Sequence, residues 1–152
     1  MQAIIFKDIK QDVYMTKEVL VTVSGRQFDV ADEPIELVTS GTYYLKNGKH
    51  YVLYEECPDD TGEIIKNRVK FHDGHFEMVK NGAVSSALRF VEDERTSSLY
   101  QTGAGAVTME VDTRNVVMTE SVELLQVKVS YALHINGQFI SECEVDFKVQ
   151  AR

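Results

Sequence analysis

The amino-acid sequence predicts a single all-β domain, an antiparallel meander closed into a barrel of eight to ten strands. Three observations lead to this fold class. The chain of 152 residues has the length of one domain, and a domain of that size buries about 68–70% of its surface on folding. Segments of alternating apolar and polar residues recur along it. Short turn signals separate several of these segments, as expected for neighbouring antiparallel strands.

The turn signals are Asn-Gly or Asp-Gly pairs, namely Asn47-Gly48, Asp73-Gly74, Asn81-Gly82 and Asn136-Gly137. A type I′ hairpin turn needs positive φ at both central residues, and Asn, Asp and Gly tolerate that conformation better than other residues. Each pair therefore predicts a β-hairpin.

Ten segments are predicted to be strands because they are rich in Val, Ile, Tyr, Phe or Thr. They are residues 19–27, 35–46, 49–56, 63–72, 75–80, 83–92, 96–102, 106–118, 124–135 and 138–150. Alternation is clearest in the last two, where apolar side chains fall on one face. A closed barrel removes the free edges that so long a sheet would otherwise expose. A two-layer sandwich is the alternative, although consecutive hairpins favour nearest-neighbour pairing.

Residues 1–18 are predicted to be an N-terminal extension to the barrel domain of residues 19–152. Ile5, Ile9 and Val13 recur every four residues as in a helix, whereas Ile4–Phe6 also suits an edge strand. Both possibilities stay open.

Charge and cysteine content limit which partners and which cellular compartment are expected. The formal net charge is −8, and the basic residues stand singly along the sequence. We therefore expect neither nucleic acid nor a membrane to be a partner. The two cysteines are far apart, and the sequence has neither an apolar leader nor an apolar segment of about 20 residues. A cytoplasmic location is expected, and the oligomeric state is left open.

Catalytic and metal chemistry is disfavoured. Cys57 lies in an acidic segment that opposes thiolate formation. Glu55 and Glu56 are adjacent on a predicted strand, so they point to opposite faces and do not form an acid–base pair. His72 and His75 flank a turn, and pairing across the hairpin explains them without a metal. No catalytic residue, metal site or cofactor is predicted, and an enzyme is the least favoured class.

From about Val19 to the C-terminus the sequence resembles the YwiB-like family of bacterial proteins of unknown function. The resemblance rests on Gly41–Tyr44, Tyr51–Glu56, Asn81–Val84 with Leu88–Phe90, Tyr100–Thr102 with Gly105, Met109–Thr113, and Tyr131–Leu133 before Asn136-Gly137. It implies a calycin-like, or lipocalin-like, β-barrel and no established activity. Two departures are visible: Lys80 stands in place of a usual arginine, and Gly103-Ala104 in place of a proline-aromatic pair.

The first functional hypothesis is a barrel that binds a small, partly apolar molecule in its interior. Its candidate ligand-binding residues are Tyr44, Tyr54, Glu55, Arg89 and Tyr100. Arg89 is either an interior charge paired with Glu55 or Glu56, or a solvated arginine on the outer face. The alternative hypothesis is a protein-interaction or structural module with a filled barrel and an acidic outer face.

Overall fold

A computed structural model describes residues 16–28, 33–57 and 62–152, and the regular secondary structure there is all β. The strands are β1 Lys17–Gln27, β2 Ile35–Lys46, β3 Lys49–Glu56, β4 Ile65–His72, β5 His75–Asn81, β6 Ser86–Val91, β7 Arg95–Thr102, β8 Gly105–Glu120, β9 Leu124–Ile135 and β10 Gln138–Ala151. All ten predicted strands are present. Most of the predicted N-terminal extension, residues 1–15, lies outside the described residues, and β1 begins at Lys17.

The strands form one antiparallel sheet in the order β6-β5-β4-β3-β2-β1-β10-β9-β8-β7. The first and last strands are neighbours, with a ladder that runs from Val19 to Gln27 on β1. The sheet curls until its two ends meet at an isolated bridge, where Ser85 and Gln101 exchange backbone hydrogen bonds of 2.8 and 2.9 Å. The predicted antiparallel barrel is therefore confirmed, with the calycin-like form consistent with it. In the described ranges, no helix has the length and apolarity needed to cross a membrane.

The predicted hairpins differ in their turns. Asn47-Gly48 and Asn136-Gly137 both have positive φ at both residues, as type I′ turns require. In Asp73-Gly74 only the glycine has positive φ, at 72°. At Asn81-Gly82 the prediction of a two-residue turn is wrong. β5 ends at Asn81 and β6 begins only at Ser86, so a longer loop connects the two strands of this hairpin.

Aromatic side chains fill the middle of the barrel. The ring of Phe147 lies 5.9 Å from that of Phe71, 5.5 Å from that of Phe76 and 6.5 Å from that of Tyr54, measured between centroids. Phe147, Phe71 and Phe76 are fully buried, and Tyr54 is 5% exposed. Since each such ring brings 150–250 Å² of surface into the core, this cluster supplies much of the burial that stabilises the barrel.

Candidate functional site

Strand β4 carries an alternating basic pattern on its outer side. Its inward side chains are buried, and every outward one is basic: Lys66, Arg68, Lys70 and His72. Because side chains alternate between faces along a strand, residues two apart point the same way. Four residues that stand apart in the sequence are thereby placed in one line on the surface.

Basic residues of the neighbouring strands extend this line sideways. Lys70 pairs with Glu77 of β5, and Glu77 pairs in turn with Arg89 of β6, so these three residues form one cross-strand row. His72 pairs directly with His75 of β5. Lys49, at the start of β3, lies close enough to lower the pKa of His72. We call the set of seven outward residues the basic face: Lys49, Lys66, Arg68, Lys70, His72, His75 and Arg89.

Within the described ranges, the lysines and arginines of the basic face form no ion pair with a carboxylate. Among the described residues, none of the five has a carboxylate oxygen within 4.0 Å. On the opposite side of the barrel, by contrast, Arg114 forms a two-pronged ion pair with Glu142 at 2.8 and 3.0 Å. Two outward carboxylates, Glu55 and Glu77, accompany the five cations on β3 to β6. This region is thus locally cationic in a chain of net charge −8.

The interpretation of the basic residues as scattered is therefore wrong for the folded surface. The alternation in β4 was the signal that could have revealed it, since the segment Lys66–His72 has a basic residue at every second position. The expectation that neither nucleic acid nor a membrane is a partner depended on this interpretation. It stays a prediction. On β10 three outward side chains are acidic, namely Glu142, Glu144 and Asp146; an acidic face that meets a protein partner stays a prediction.

The two histidines of the basic face stack on each other. The rings of His72 and His75 lie 4.3 Å apart with an angle of 17° between their planes. The pKa of His72 is lowered, first by burial and then by His75, Lys49 and Lys70, while Asp73 acts in the opposite direction. The lowered pKa reflects both lost hydration and a positive local potential. No three His, Cys, Asp or Glu side chains in the described ranges are grouped to hold a metal ion.

Two depressions lie on this side of the barrel, one at each end of the row of outward side chains on β4. The larger is a groove of about 770 Å³ beside Lys66 and Arg68. The smaller is a pocket of about 260 Å³ lined by Lys70, His72, His75, Phe76, Glu77 and Arg89. Each depression thus borders two of the four outward residues of β4.

The floor of the groove depends on a glycine. Gly41 of β2 pairs with Tyr54 of β3, and both border the groove. A Cβ atom on Gly41 would lie 2.7 Å from Cγ2 of Val21 and 2.9 Å from the carbonyl oxygen of Leu53. Only glycine allows this close approach of backbone and side chain, so the shape of the groove is set by the packing of β1, β2 and β3.

Comparison with known proteins identifies the family. The family model described as "Domain of unknown function (DUF1934)" matches residues 21–147. The chain belongs to this family.

The solved and curated relatives of this DUF1934 chain agree with its fold. It is 28% identical over 130 residues to the uncharacterized beta-barrel protein YwiB of Bacillus subtilis (strain 168). The aligned region covers 86% of this chain and 88% of YwiB. The crystal structure of the ywiB protein from Bacillus subtilis superposes with a TM-score of 0.77 at 22% identity, covering 90% of this chain and 93% of the other. The protein is therefore a β-barrel of a family whose function is unknown.

The five predicted ligand-binding residues of this DUF1934 chain do not converge on the interior. Tyr54 is buried inside the barrel, and Tyr100 is half-buried on β7. Tyr44 lies on the outer face, where its ring stacks on that of Tyr51 at 4.8 Å. Glu55 and Arg89 are exposed, so the outer-face alternative for Arg89 is the one found. Strand register, which the sequence did not reveal, separates these residues; whether any of them binds a ligand stays a prediction.

A polar cluster occupies one end of the barrel interior. Lys80 Nζ lies 2.5 Å from Glu56 Oε1 and donates to Asn67 Oδ1 at 2.9 Å, while Asn67 Nδ2 donates to the same Glu56 oxygen at 3.1 Å. Glu56 therefore points inward and Glu55 outward, as the alternation predicted. Nearby in the sheet, the buried hydroxyl of Ser86 has no hydrogen-bond partner within the described part of the chain, and neither does that of Ser98.

Proposed function

We propose that this protein is a non-enzymatic binding protein that holds an anionic ligand on its basic face. The observation that carries the proposal is the grouping of five cations on one outer surface without a carboxylate within 4.0 Å in the described ranges. Such a group creates a positive local potential even when the whole chain is acidic, and that potential concentrates anions near the surface.

The two depressions add shape to this charge. Lys66 and Arg68 border the groove together with three glutamate side chains, so the charge of the groove is mixed. The pocket is bordered by Lys70, Arg89 and one glutamate, Glu77. A ligand seated in the pocket loses part of its water shell, which strengthens its attraction to the two cations. At the pocket the basic face therefore combines net positive charge with concave surface, the two properties that an anion-binding site needs.

Removal of two charges from the basic face is expected to lower the affinity for a polyanion. It is also expected to make that affinity less dependent on salt concentration. The measurement is the affinity for fluorescently labelled heparin at several salt concentrations near pH 7. Each lost cation contact lowers the slope of log K against log salt by roughly one. The variant R68Q/K70Q should therefore lose about two units of slope.

The matched control is K128Q/K148Q, which removes the same net charge from exposed positions on β9 and β10. Its slope should equal that of the wild-type protein. Equal losses in the two double variants would mean that only net charge matters, and a wild-type protein that does not bind heparin at low salt would refute the proposal.

A small, partly apolar ligand inside the barrel is the second candidate function, the one first expected from the sequence. The hydroxyls of Ser86 and Ser98 favour it, because they are buried without a hydrogen-bond partner among the described residues, and buried polar groups usually have one. The aromatic filling around Phe147 leaves the polar end near Lys80 as its place. Native mass spectrometry of the protein purified from cells should then show an added mass that denaturation releases. A spectrum of the empty chain alone would argue against this candidate.

A further inference from the structure

The geometry of the smaller pocket points to a more specific ligand: we propose that it binds a phosphate ester with a hydroxyl group beside the phosphate, as in a sugar phosphate. This inference rests on the proposed function, since the pocket is part of the basic face. It adds the site, the chemical class of the ligand and the residues that select it.

Two cations stand on opposite sides of the pocket. Lys70, Glu77 and Arg89 form one cross-strand row on β4, β5 and β6. Since adjacent strands are about 4.8 Å apart, the backbones of Lys70 and Arg89 are separated by roughly 10 Å. Their long side chains can close over a phosphoryl group placed between them. A guanidinium such as that of Arg89 presents two parallel N–H groups that match two phosphate oxygens.

Within the described residues, neither cation forms an ion pair with a carboxylate, although Glu77 is the cross-strand neighbour of both. Lys70 Nζ instead lies 5.9 Å from the ring centroid of Tyr51, a cation–π distance. Tyr51 is on β3, on the far side of β4 from Glu77. In the proposal the Lys70 side chain therefore turns from the ring toward β5 when a ligand binds.

Glu77 gives the pocket its selectivity. A carboxylate between two cations repels the phosphoryl group of any ligand, but it accepts a hydrogen bond from a hydroxyl group. A phosphate ester with a neighbouring hydroxyl satisfies both kinds of group at once, with the phosphate on Lys70 and Arg89 and the hydroxyl on Glu77. Methyl phosphate, a dianion without a hydroxyl, satisfies only the cations, and an unphosphorylated sugar satisfies only Glu77.

The stacked histidines complete the rim of the pocket. A ring N–H group of His72 supplies a further donor, and its ring is held 4.3 Å from that of His75. His75 Nδ1 already donates to the backbone carbonyl oxygen of Asp73 at 3.0 Å, so its neutral ring has no second N–H group for a ligand. Lys49, Lys70 and Asp73 are the charged groups that act on His72 besides His75. A bound phosphate would add negative charge and raise the pKa of His72, so the NMR signals of this ring pair report on occupancy.

The size of the pocket agrees with a small ligand. Its volume of about 260 Å³ corresponds to on the order of nine water molecules at about 30 Å³ each. This is enough for a phosphoryl group and the adjoining part of a sugar, and it is too small for a folded polymer.

The experiment is a titration of the full chain with glucose 1-phosphate, whose 2-hydroxyl is next to the phosphate, followed through the NMR signals of the His72 and His75 ring protons. Both sets of signals should shift saturably. Methyl phosphate and glucose should each bind at least tenfold more weakly than glucose 1-phosphate. E77Q should remove the preference for glucose 1-phosphate over methyl phosphate.

The matched pair of variants is R89Q and R68Q, since both remove an exposed arginine from the basic face but only Arg89 lines the pocket. R89Q should weaken binding at least tenfold, and R68Q less than threefold. Equal effects of the two variants, or histidine signals that do not move with glucose 1-phosphate, would refute the proposal for this pocket. If heparin binding persists in that case, the proposed function survives alone; if heparin binding is also absent, both proposals fail.

Discussion

Replacement of Phe147 by alanine is expected to lower the free energy of unfolding by about 3–5 kcal/mol, the usual cost for a buried phenylalanine. Phe147 is fully buried, and its ring contacts those of Phe71, Phe76 and Tyr54 at centroid distances of 5.5–6.5 Å. Removing it leaves a cavity in the middle of the barrel that these large rings close only in part. Urea denaturation followed by circular dichroism measures the effect.

Phe139 supplies the control, because it lies on the same strand and is 51% exposed. F139A should change the free energy of unfolding by less than about 1 kcal/mol. Should F147A fail to fold, F147L keeps most of the volume and is expected to cost about 1–2 kcal/mol. Similar losses for the Phe147 and Phe139 variants would mean that aromatic packing does not fill the barrel.

Stability is expected to fall by about 3 kcal/mol between pH 7 and pH 4 through His50 alone, at 1.36 kcal/mol per unit of pKa. His50 is 6% exposed. Burial, with a smaller contribution from His72, lowers its pKa from 6.5 to about 4. The unfolded chain therefore takes up the proton before the folded barrel does, and the loss of stability develops as the pH falls from about 6.5 to about 4.

The contacts of His50 explain why the neutral ring is preferred. Its Nδ1 lies 2.8 Å from the hydroxyl of Tyr43, and its ring stacks on that of Phe71 at 5.0 Å. H50Q removes the titrating group, so its free energy of unfolding should depend less on pH than that of the wild-type protein. The difference in unfolding free energy between wild type and H50Q should change by about 3 kcal/mol across this interval.

The control for this second prediction is V52A, since Val52 is fully buried on the same strand but does not titrate. Its stability should be lower at each pH, and its profile should run parallel to that of the wild-type protein. Unfolding by urea at pH 7, 5.5 and 4 provides all three profiles, which are compared pairwise because the carboxylates contribute equally to each. Parallel profiles for wild type and H50Q would contradict the prediction.

Much of the fold could be predicted because alternation and turn chemistry are local properties. The strand that ends in Lys46 and the one that begins with Lys49 follow from Asn47-Gly48, whose two residues tolerate positive φ. The opposite directions of Glu55 and Glu56 follow from the period of a strand. Such properties involve a few neighbouring residues, so tertiary structure does not have to be known.

The candidate site could not be predicted in the same way because it depends on register between strands. Lys70, Glu77 and Arg89 form a row only because β4, β5 and β6 pair with that alignment. Tyr44 and Tyr54 were grouped as ligand-binding residues, yet they lie on opposite faces of the sheet. The basic pattern of β4 was visible in the sequence, but counting charges along the chain, rather than along one face, concealed it.

The filled interior supports the proposal that binding takes place on the outer surface. Where Phe71, Phe76 and Phe147 occupy the centre, a ligand there would have to displace tightly packed rings, at a cost similar to that of a core substitution. The outward side chains of β4 are under no such constraint. Their identity can vary without a change in the core, so under the proposed function alternate residues of one strand would serve binding and folding.

The pairing of β1 with β10 has a consequence for synthesis of the protein in the cell. Strand β1 leaves the ribosome well before β10, although β10 supplies its partner along Val19 to Gln27. Until β10 has emerged, this edge of β1 lacks that partner, and unpaired edges are sites of intermolecular aggregation. The nascent chain is therefore at risk of aggregation in the interval before β10 emerges.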